Sequence, residues 1–283
     1  MFLAYIKWNL NPEIFSLGPL SIRWYGLFFA LGFVFGYLIF QRIFRKEGIN
    51  EELLDKLTIY VALGTIIGAR LGHVIFYDPQ YYLENPEKII KTWEGGLASH
   101  GGVIGILIAI WFFSRNTKIT YLWVMDRIVI MGALAGFFIR MGNLMNSEIY
   151  GVQTDLPWGF IFLRNNEIVP KHPTQIYEAL AYLLIFGILY LLNRAYYEKL
   201  KRGFSFGLFF ILLFTTRFLI EFIKEDQSDF EAGMALNMGQ ILSLPFILAG
   251  IILVIWSLKQ DKLSRAYQQE NEVNGKKIPS RQK

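Results

Sequence analysis

Runs of about twenty apolar residues repeat along this chain, and a run of that length is what an α-helix needs to cross the hydrocarbon core of a bilayer. Seven runs fit: Ser21–Phe40, Leu57–Tyr77, Ser99–Phe113, Tyr121–Met141, Gln175–Leu192, Phe204–Ile223 and Gly239–Ser257. The third is short and reads as a tilted or re-entrant piece. Glycines recur four apart within the runs, at Gly32 and Gly36, at Gly64, Gly68 and Gly72, and at Gly132 and Gly136, a spacing that lets helices approach closely in lipid. The pattern predicts an all-α polytopic membrane protein of about seven transmembrane helices. Residues 1–257 form one membrane domain with extracytoplasmic loops, and residues 258–283, rich in Lys, Gln and Asn, form a polar cytoplasmic tail.

Basic residues between the spans set the orientation. With the N-terminus outside, the inner segments carry 17 Lys or Arg and the outer segments carry 6. This asymmetry predicts an outside N-terminus and a cytoplasmic C-terminus.

Composition narrows the chemistry. The chain is 54% hydrophobic and 18% charged, against about a quarter charged in soluble domains. Cysteine is absent, which excludes a disulfide framework, a cysteine nucleophile and a thiolate metal site. The three histidines, His73, His100 and His172, lack metal-ligand spacing, so neither a metal nor a cofactor is expected. The net charge of +5 follows topology, and no nucleic-acid partner is expected. The N-terminal segment, with Lys7, Asn9, Asn11 and Glu13, reads as lacking a cleavable signal.

Ionisable side chains are costly inside a bilayer and mark functional sites there. Here they sit in or beside the spans: Arg23 and Tyr25 at the first, Arg70 and His73 in the second, and His100 within Ser99–Gly102 at the third. Arg140 ends the fourth and leads into Asn143, Asn146 and Glu148. His172, Gln175 and Glu178 open the fifth, Arg217 and Glu221 lie late in the sixth, and Gln240 opens the seventh. Under the orientation above, all of these fall in the outer half of the membrane. Asp126 and Arg127 lie near the inner face and read as an interfacial anchor or a local pair.

Such a cluster suits an anionic head group. Arg140 and Asn143, three apart, share a helix face, and Gly142 reads as the end of that helix, leaving Asn146 and Glu148 in a loop. Arg217 and Glu221, four apart, can pair with each other. Two arginines on different helices can clamp one phosphate. The plainer alternative is that each arginine neutralises a carboxylate, Glu148 or Glu221. Gly101 and Gly102 bring main-chain amides near a ligand, and His100 titrates near neutrality and can accept a proton. The outer segment 142–174, with Trp158, Phe160, Phe162 and Leu163, reads as an interfacial lid or arm. The loop 78–98, with Tyr81, Tyr82 and Trp93 beside Tyr77, has an aromatic-belt composition.

The run GFFIRMGNLMNSEIYG at Gly136–Gly151 resembles the signature of the prolipoprotein diacylglyceryl transferases, with Arg140, Asn143, Asn146, Glu148 and Gly151 in register. Ile139 stands where that family usually has glycine. IRWYGL at Ile22–Leu27, GARLGHVIFYDP at Gly68–Pro79, GGLASHGG at Gly95–Gly102, HPTQIYE at His172–Glu178, RFLIEF at Arg217–Phe222 and MGQILSLP at Met238–Pro245 resemble other family segments in the same order. The resemblance covers nearly the whole chain apart from its tail.

It implies transfer of the diacylglyceryl group of phosphatidylglycerol to the lipobox cysteine thiol of a prolipoprotein signal peptide. A thioether forms and glycerol phosphate leaves, the first step of bacterial lipoprotein maturation, on the outer side of the bacterial plasma (inner) membrane. By resemblance, Tyr25, His100, Arg140, Asn143, Glu148, Gly151 and Arg217 fall on functional positions. The catalytic set is Tyr25, His100, Arg140 and Arg217. Phosphatidylglycerol binding draws on Arg140, Asn143, Glu148, Gly151, Gly101, Gly102 and Arg217, with Asn146, Arg70, Gln175, Glu178, Glu221 and Gln240 in support. Two positions depart from the family. Leu213 replaces a tyrosine four residues before the sixth-helix arginine. Lys224 replaces a frequent arginine, keeping the charge and losing the planar fork.

Rival classes fit less well. A transporter path needs polar residues through the full depth, and the inner halves of the spans are apolar apart from Asp126 and Arg127. The aspartate motif of phosphatidyl-alcohol transferases and the serine or paired-aspartate patterns of intramembrane proteases are absent.

Overall fold

A computed structural model describes residues 5–18, 20–92, 95–226, 231 and 233–260. The expected tail, from residue 261 on, and Trp93 of the aromatic loop lie outside the described residues. The elements are three short strands, β1 (Ile6–Trp8), β2 (Glu13–Leu17) and β3 (Leu20–Arg23), then helices α1 (Trp24–Glu47), α2 (Glu51–Phe76), α3 (Pro79–Glu84), α4 (Ser99–Asn116) and α5 (Tyr121–Asn146). Strand β4 (Phe160–Phe162) and helices α6 (Thr174–Tyr196), α7 (Phe204–Ile220) and α8 (Met238–Leu258) follow. A 3-10 turn, Glu221–Ile223, extends α7.

Six helices are long and apolar enough to cross a membrane: α1, α2, α5, α6, α7 with its last turn, and α8. The chain is a multi-pass membrane protein. The third predicted span is helical as α4, but it opens on Ser-His-Gly-Gly and closes on Ser-Arg-Asn, which leaves fewer apolar residues than a full crossing needs.

Three boundaries differ from the sequence reading. The first helix begins at Trp24, because Leu20–Arg23 is extended and pairs antiparallel with β2. The polar segment 41–56 is mostly helical, reduced to a turn at residues 48–50, where the Asn50 side chain caps α2 by accepting from the Glu52 amide at 3.0 Å. Helix α5 continues through Gly142 to Asn146. Gly142 serves close packing: a Cβ there would lie 2.7 Å from Cδ2 of Tyr25.

The described residues divide into two compact units, one drawn from 5–36 and 126–260, the other from 37–125. In the second, α2 and α4 pack glycine against glycine. A Cβ on Gly72 would sit 2.7 Å from Cα of Gly101. Phe44, Leu54, Ile110 and Phe113 are fully buried there, and Trp123 donates its indole N–H to Glu47 at 3.1 Å.

In the first unit, α7 and α8 make the same kind of contact at Gly207 and Gly250. The buried Asp126 carboxylate, near the start of α5, accepts from the backbone amides of Gly203 at 2.7 Å and Phe206 at 2.9 Å. It therefore caps the N-terminus of α7. The segment 142–174 is fastened into this unit, in contrast to the lid or arm read from sequence. Strand β4 runs parallel to β1, with Ile6 opposite Phe160 and Trp8 opposite Phe162. Phe160 and Phe162 are buried with Leu144 against Trp8, Met141, Tyr150 and Ile176. The hydrophobic effect holds this segment down, and Trp158 and Leu163 alone of its four apolar landmarks stay exposed.

Candidate active site

Helical periodicity places Arg140, Asn143 and Asn146 along the last turns of α5. Arg140 Nη1 donates to Asn143 Oδ1 at 3.2 Å, and Asn143 Nδ2 donates to Glu148 Oε2 at 3.3 Å. Asn146 Nδ2 donates to the other oxygen, Glu148 Oε1, at 3.1 Å. The signature residues thus form one hydrogen-bonded chain ending at an exposed carboxylate.

The turn that carries Glu148 is strained. Ser147 and Ile149 have φ of 57° and 58°, and a β-branched residue in the left-handed region costs about 1–3 kcal/mol. Neighbours hold the turn in place. Gln175 Nε2 donates to the Glu148 carbonyl at 2.6 Å, Thr174 Oγ1 to the Ile149 carbonyl at 2.9 Å, and Asn165 Nδ2 to the Ser147 carbonyl at 2.8 Å. Gln175 therefore supports the site through the main chain. Gly151 closes the turn, bridging Lys224 with its amide bonded to the His172 carbonyl at 2.8 Å. A Cβ on Gly151 would meet the Ile223 carbonyl and lie 2.8 Å from both His172 Cβ and Thr174 Cγ2.

Beneath this turn lies a line of buried charges. Glu178, fully buried, takes Arg140 Nε on one oxygen at 2.8 Å and Lys224 Nζ on the other at 3.0 Å. Lys224 also reaches Glu221 Oε2 at 3.4 Å. The partner of Arg140 is thus Glu178, and neither Glu148 nor Glu221. Glu221 pairs with Lys224, whereas the sequence spacing suggested Arg217. Gly239 lies against the Glu221 carboxyl, where a Cβ would come within 2.5 Å.

Arg217 is half-buried and makes no ion pair or hydrogen bond among the described residues. Arg140 and Arg217 both interact electrostatically with Tyr182, whose ring centroid is 6.0 Å from the Arg140 guanidinium carbon. The two arginines therefore address one neighbourhood. Tyr25, packed on Gly142, interacts electrostatically with Glu148 and Arg140. The role of Gln240 is local, since with Asn237 it forms the capping box of α8.

Two participants escape a reading of the sequence. Tyr182 sits in an apolar stretch without a motif, and its signal is its place one helical turn after Glu178 on α6. Lys224 stands out in sequence only as a departure from the arginine frequent in the resembled family, with nothing to name its partner.

His172 lies just before α6, and its Nδ1 is 3.3 Å from the Tyr177 hydroxyl, which accepts from Trp158 Nε1 at 2.8 Å. Burial lowers the His172 pKa from its ordinary 6.5 and favours the neutral ring.

The remaining expected residues belong to the second unit. Arg70 is buried and donates to four main-chain carbonyls: Nε to Ile89 at 2.8 Å, Nη1 to Gly95 and to Gly96 at 2.9 Å, and Nη2 to Lys88. His100 is exposed in the first turn of α4 and makes no hydrogen bond among the described residues. Gly101 and Gly102 are helical. Gly101 faces the Gly68 carbonyl and Gly72, so its missing side chain serves helix packing, in contrast to the ligand approach read from sequence. Gly102 has ordinary room, with Ala69 Cβ 3.6 Å from where its own Cβ would be. Among the described residues no group of three or more His, Cys, Asp or Glu is placed to hold a metal ion.

The family model for prolipoprotein diacylglyceryl transferase matches residues 12–256. The chain is 51% identical over 254 residues to a protein of Tolumonas auensis named phosphatidylglycerol–prolipoprotein diacylglyceryl transferase, covering 89% of this chain and 98% of that relative. Proteins of the same name from Chloroherpeton thalassium and Porphyromonas gingivalis are 46% and 48% identical, with 93% and 90% of this chain and 98% and 96% of the relatives covered.

Proposed function

The chain belongs to the prolipoprotein diacylglyceryl transferase family, and from that premise we propose that it moves the diacylglyceryl group of phosphatidylglycerol onto the lipobox cysteine of a prolipoprotein. The observation that carries this reading is the state of the two arginines. Arg140 is held by the ion pair with Glu178 at Nε, by Asn143 at Nη1 and by a hydrogen bond with Tyr182, which leaves part of its five-donor fork for a ligand. Arg217 has no counter-ion of its own among the described residues. Two oriented cations beside a polar turn suit the phosphate of an anionic lipid.

The nucleophile in this reading comes from the substrate, as suits a chain without cysteine. The cysteine sulfur attacks the glycerol carbon that bears the phosphate. The S–C bond forms, the C–O bond breaks, and its electron pair leaves on the glycerol phosphate. Arg140 and Arg217 stabilise the charge growing on that leaving group. His100 accepts the thiol proton. Asn143 and Glu148 orient Arg140 and the glycerol head group, while Tyr25 and Gly151 shape the pocket around the turn. Gln175 supports the Glu148 turn, Glu178 pairs with Arg140 and Glu221 with Lys224, while Arg70 and Gln240 support the fold of their own segments.

We assign the protein to the bacterial plasma membrane with its N-terminus outside, its tail in the cytoplasm and its site toward the outer leaflet. The distribution of Lys and Arg supports this orientation.

The test is direct. Purified protein is incubated with phosphatidylglycerol and a lipobox peptide, and the peptide is weighed. A mass gain of one diacylglyceryl group is expected, and an unchanged peptide mass overturns the reading.

A further inference from the structure

Outside the residues assigned to the reaction, the most unusual feature of the first unit is a cation with two buried carboxylates. Lys224, Glu178 and Glu221 are each at least nine-tenths buried. Burying such charges is costly unless each is matched, and a buried group that loses its partner rearranges to find another. The main chain around Lys224 is also committed. It bridges Gly151, and the Ile223 carbonyl accepts from Val152 at 3.0 Å. The lysine side chain therefore starts from the same backbone that closes the Glu148 turn.

The division of the Glu178 carboxylate decides what Arg140 can do. One oxygen accepts from Lys224 and the other is ion-paired with Arg140, whose Nε lies 2.8 Å away. Left to themselves, an arginine and a carboxylate form a two-point fork through Nε and a terminal nitrogen. That fork would consume a further donor of Arg140, beyond those held by Asn143 and Tyr182. A neutral group at position 224 would also leave Glu178 and Glu221 with Arg140 as their nearest compensating cation, adding negative charge beside an anionic substrate.

We propose that Lys224 is a positioning residue: by holding one oxygen of Glu178 it keeps the Arg140–Glu178 pair to a single-point contact and so leaves the arginine one more donor for the lipid phosphate. This rests on the reading of Arg140 as a phosphate ligand.

The experiment measures KM for phosphatidylglycerol with the full chain in mixed micelles and a lipobox peptide as acceptor. KM is chosen because it does not depend on how much of a variant is folded. Lys224→Met should raise KM about tenfold, with a smaller fall in kcat, through capture of Arg140 by Glu178. Lys224→Arg should stay within about twofold of wild type, since it restores a cation on the free oxygen. The double variant Glu178→Gln with Lys224→Met should recover most of the lost affinity, because the amide makes a weaker fork than the carboxylate.

A Lys224→Met protein with wild-type KM and lower yield alone overturns the inference and leaves a packing role. A double variant no better than Lys224→Met overturns it as well. If Lys224→Met does not accumulate, Lys224→Gln reads the same quantity, with a rise of about threefold expected from loss of the charge-assisted contact; an unchanged KM there also overturns the inference. A wild-type protein that transfers nothing overturns this inference and the functional reading together, whereas an active wild type with unaltered KM in the Lys224 variants overturns this inference alone.

Discussion

Arg70 and Arg140 are the same residue type, each within an apolar helix, and the structure uses them in opposite ways. Arg70 spends its guanidinium on four carbonyls of the segment 88–96, all main chain of its own unit. Arg140 is held by Glu178 at Nε, by Asn143 at Nη1 and by Tyr182, and keeps its remaining donors. The first arrangement ties a loop to a helix. The second holds a cation still while leaving it reactive toward another molecule. The cost of an intramembrane arginine thus marks a position as important without saying for what. The answer lies in what occupies its donors.

The largest expected effect breaks the comparison at its active side. Arg140→Ala and Arg217→Ala should each lower transfer to a lipobox peptide by about a hundredfold or more, with normal membrane insertion. Normal turnover in both variants would remove the phosphate clamp. Arg70→Ala should behave differently, with loss of folded protein at a cost of about 3 kcal/mol or more from four orphaned carbonyls, and near-normal turnover per folded molecule. Thermal melting alongside single-turnover rates separates the two outcomes. His100→Gln, which keeps polarity without a titrating base, should lower the rate by about a hundredfold. A near-wild-type rate would dismiss the histidine and leave the clamp standing.

Smaller effects sharpen the contrast between packing and chemistry. Gly101→Ala should destabilise by about 1–3 kcal/mol, because its Cβ meets the Gly68 backbone, while Gly102→Ala should stay within about 0.5 kcal/mol. Equal behaviour of the pair would restore Gly101 to ligand binding. The smallest effect is on pH dependence. The lowered pKa of His172 means the unfolded chain binds more protons there, so its contribution to stability is present above pH 6.5 and is lost as pH falls through the folded value. Melting of wild type should therefore decline more steeply below pH 6.5 than melting of His172→Gln.

Much of this was legible in the residues. Apolar run length gave the helices to within seven positions at either end, and the four-residue glycine spacing marked α2 as a close-packing helix without naming its partner α4. The spacing of Arg140 and Asn143 gave their contact. What sequence could not give was pairing across helices. Glu178 lies 38 positions from Arg140, and nothing in the local period joins them. The same blindness paired Arg217 with Glu221, since four-residue spacing permits that contact but cannot weigh Lys224 against it. The turn at Ser147–Ile149 was hidden for a different reason: its left-handed backbone has no glycine to announce it, and it survives on hydrogen bonds from Asn165, Thr174 and Gln175.

The cap that Asp126 places on α7 has a consequence for how the chain is made. The carboxylate sits near the start of α5, and the amides it serves belong to Gly203 and Phe206, 77 and 80 positions later. During synthesis α5 enters the membrane first, and Asp126 has to find water or a temporary partner until α7 emerges. A nascent chain stalled before residue 203 therefore carries an acidic group without its final ligand. The contact between α5 and α7 is therefore closed only once the chain has been made past residue 206.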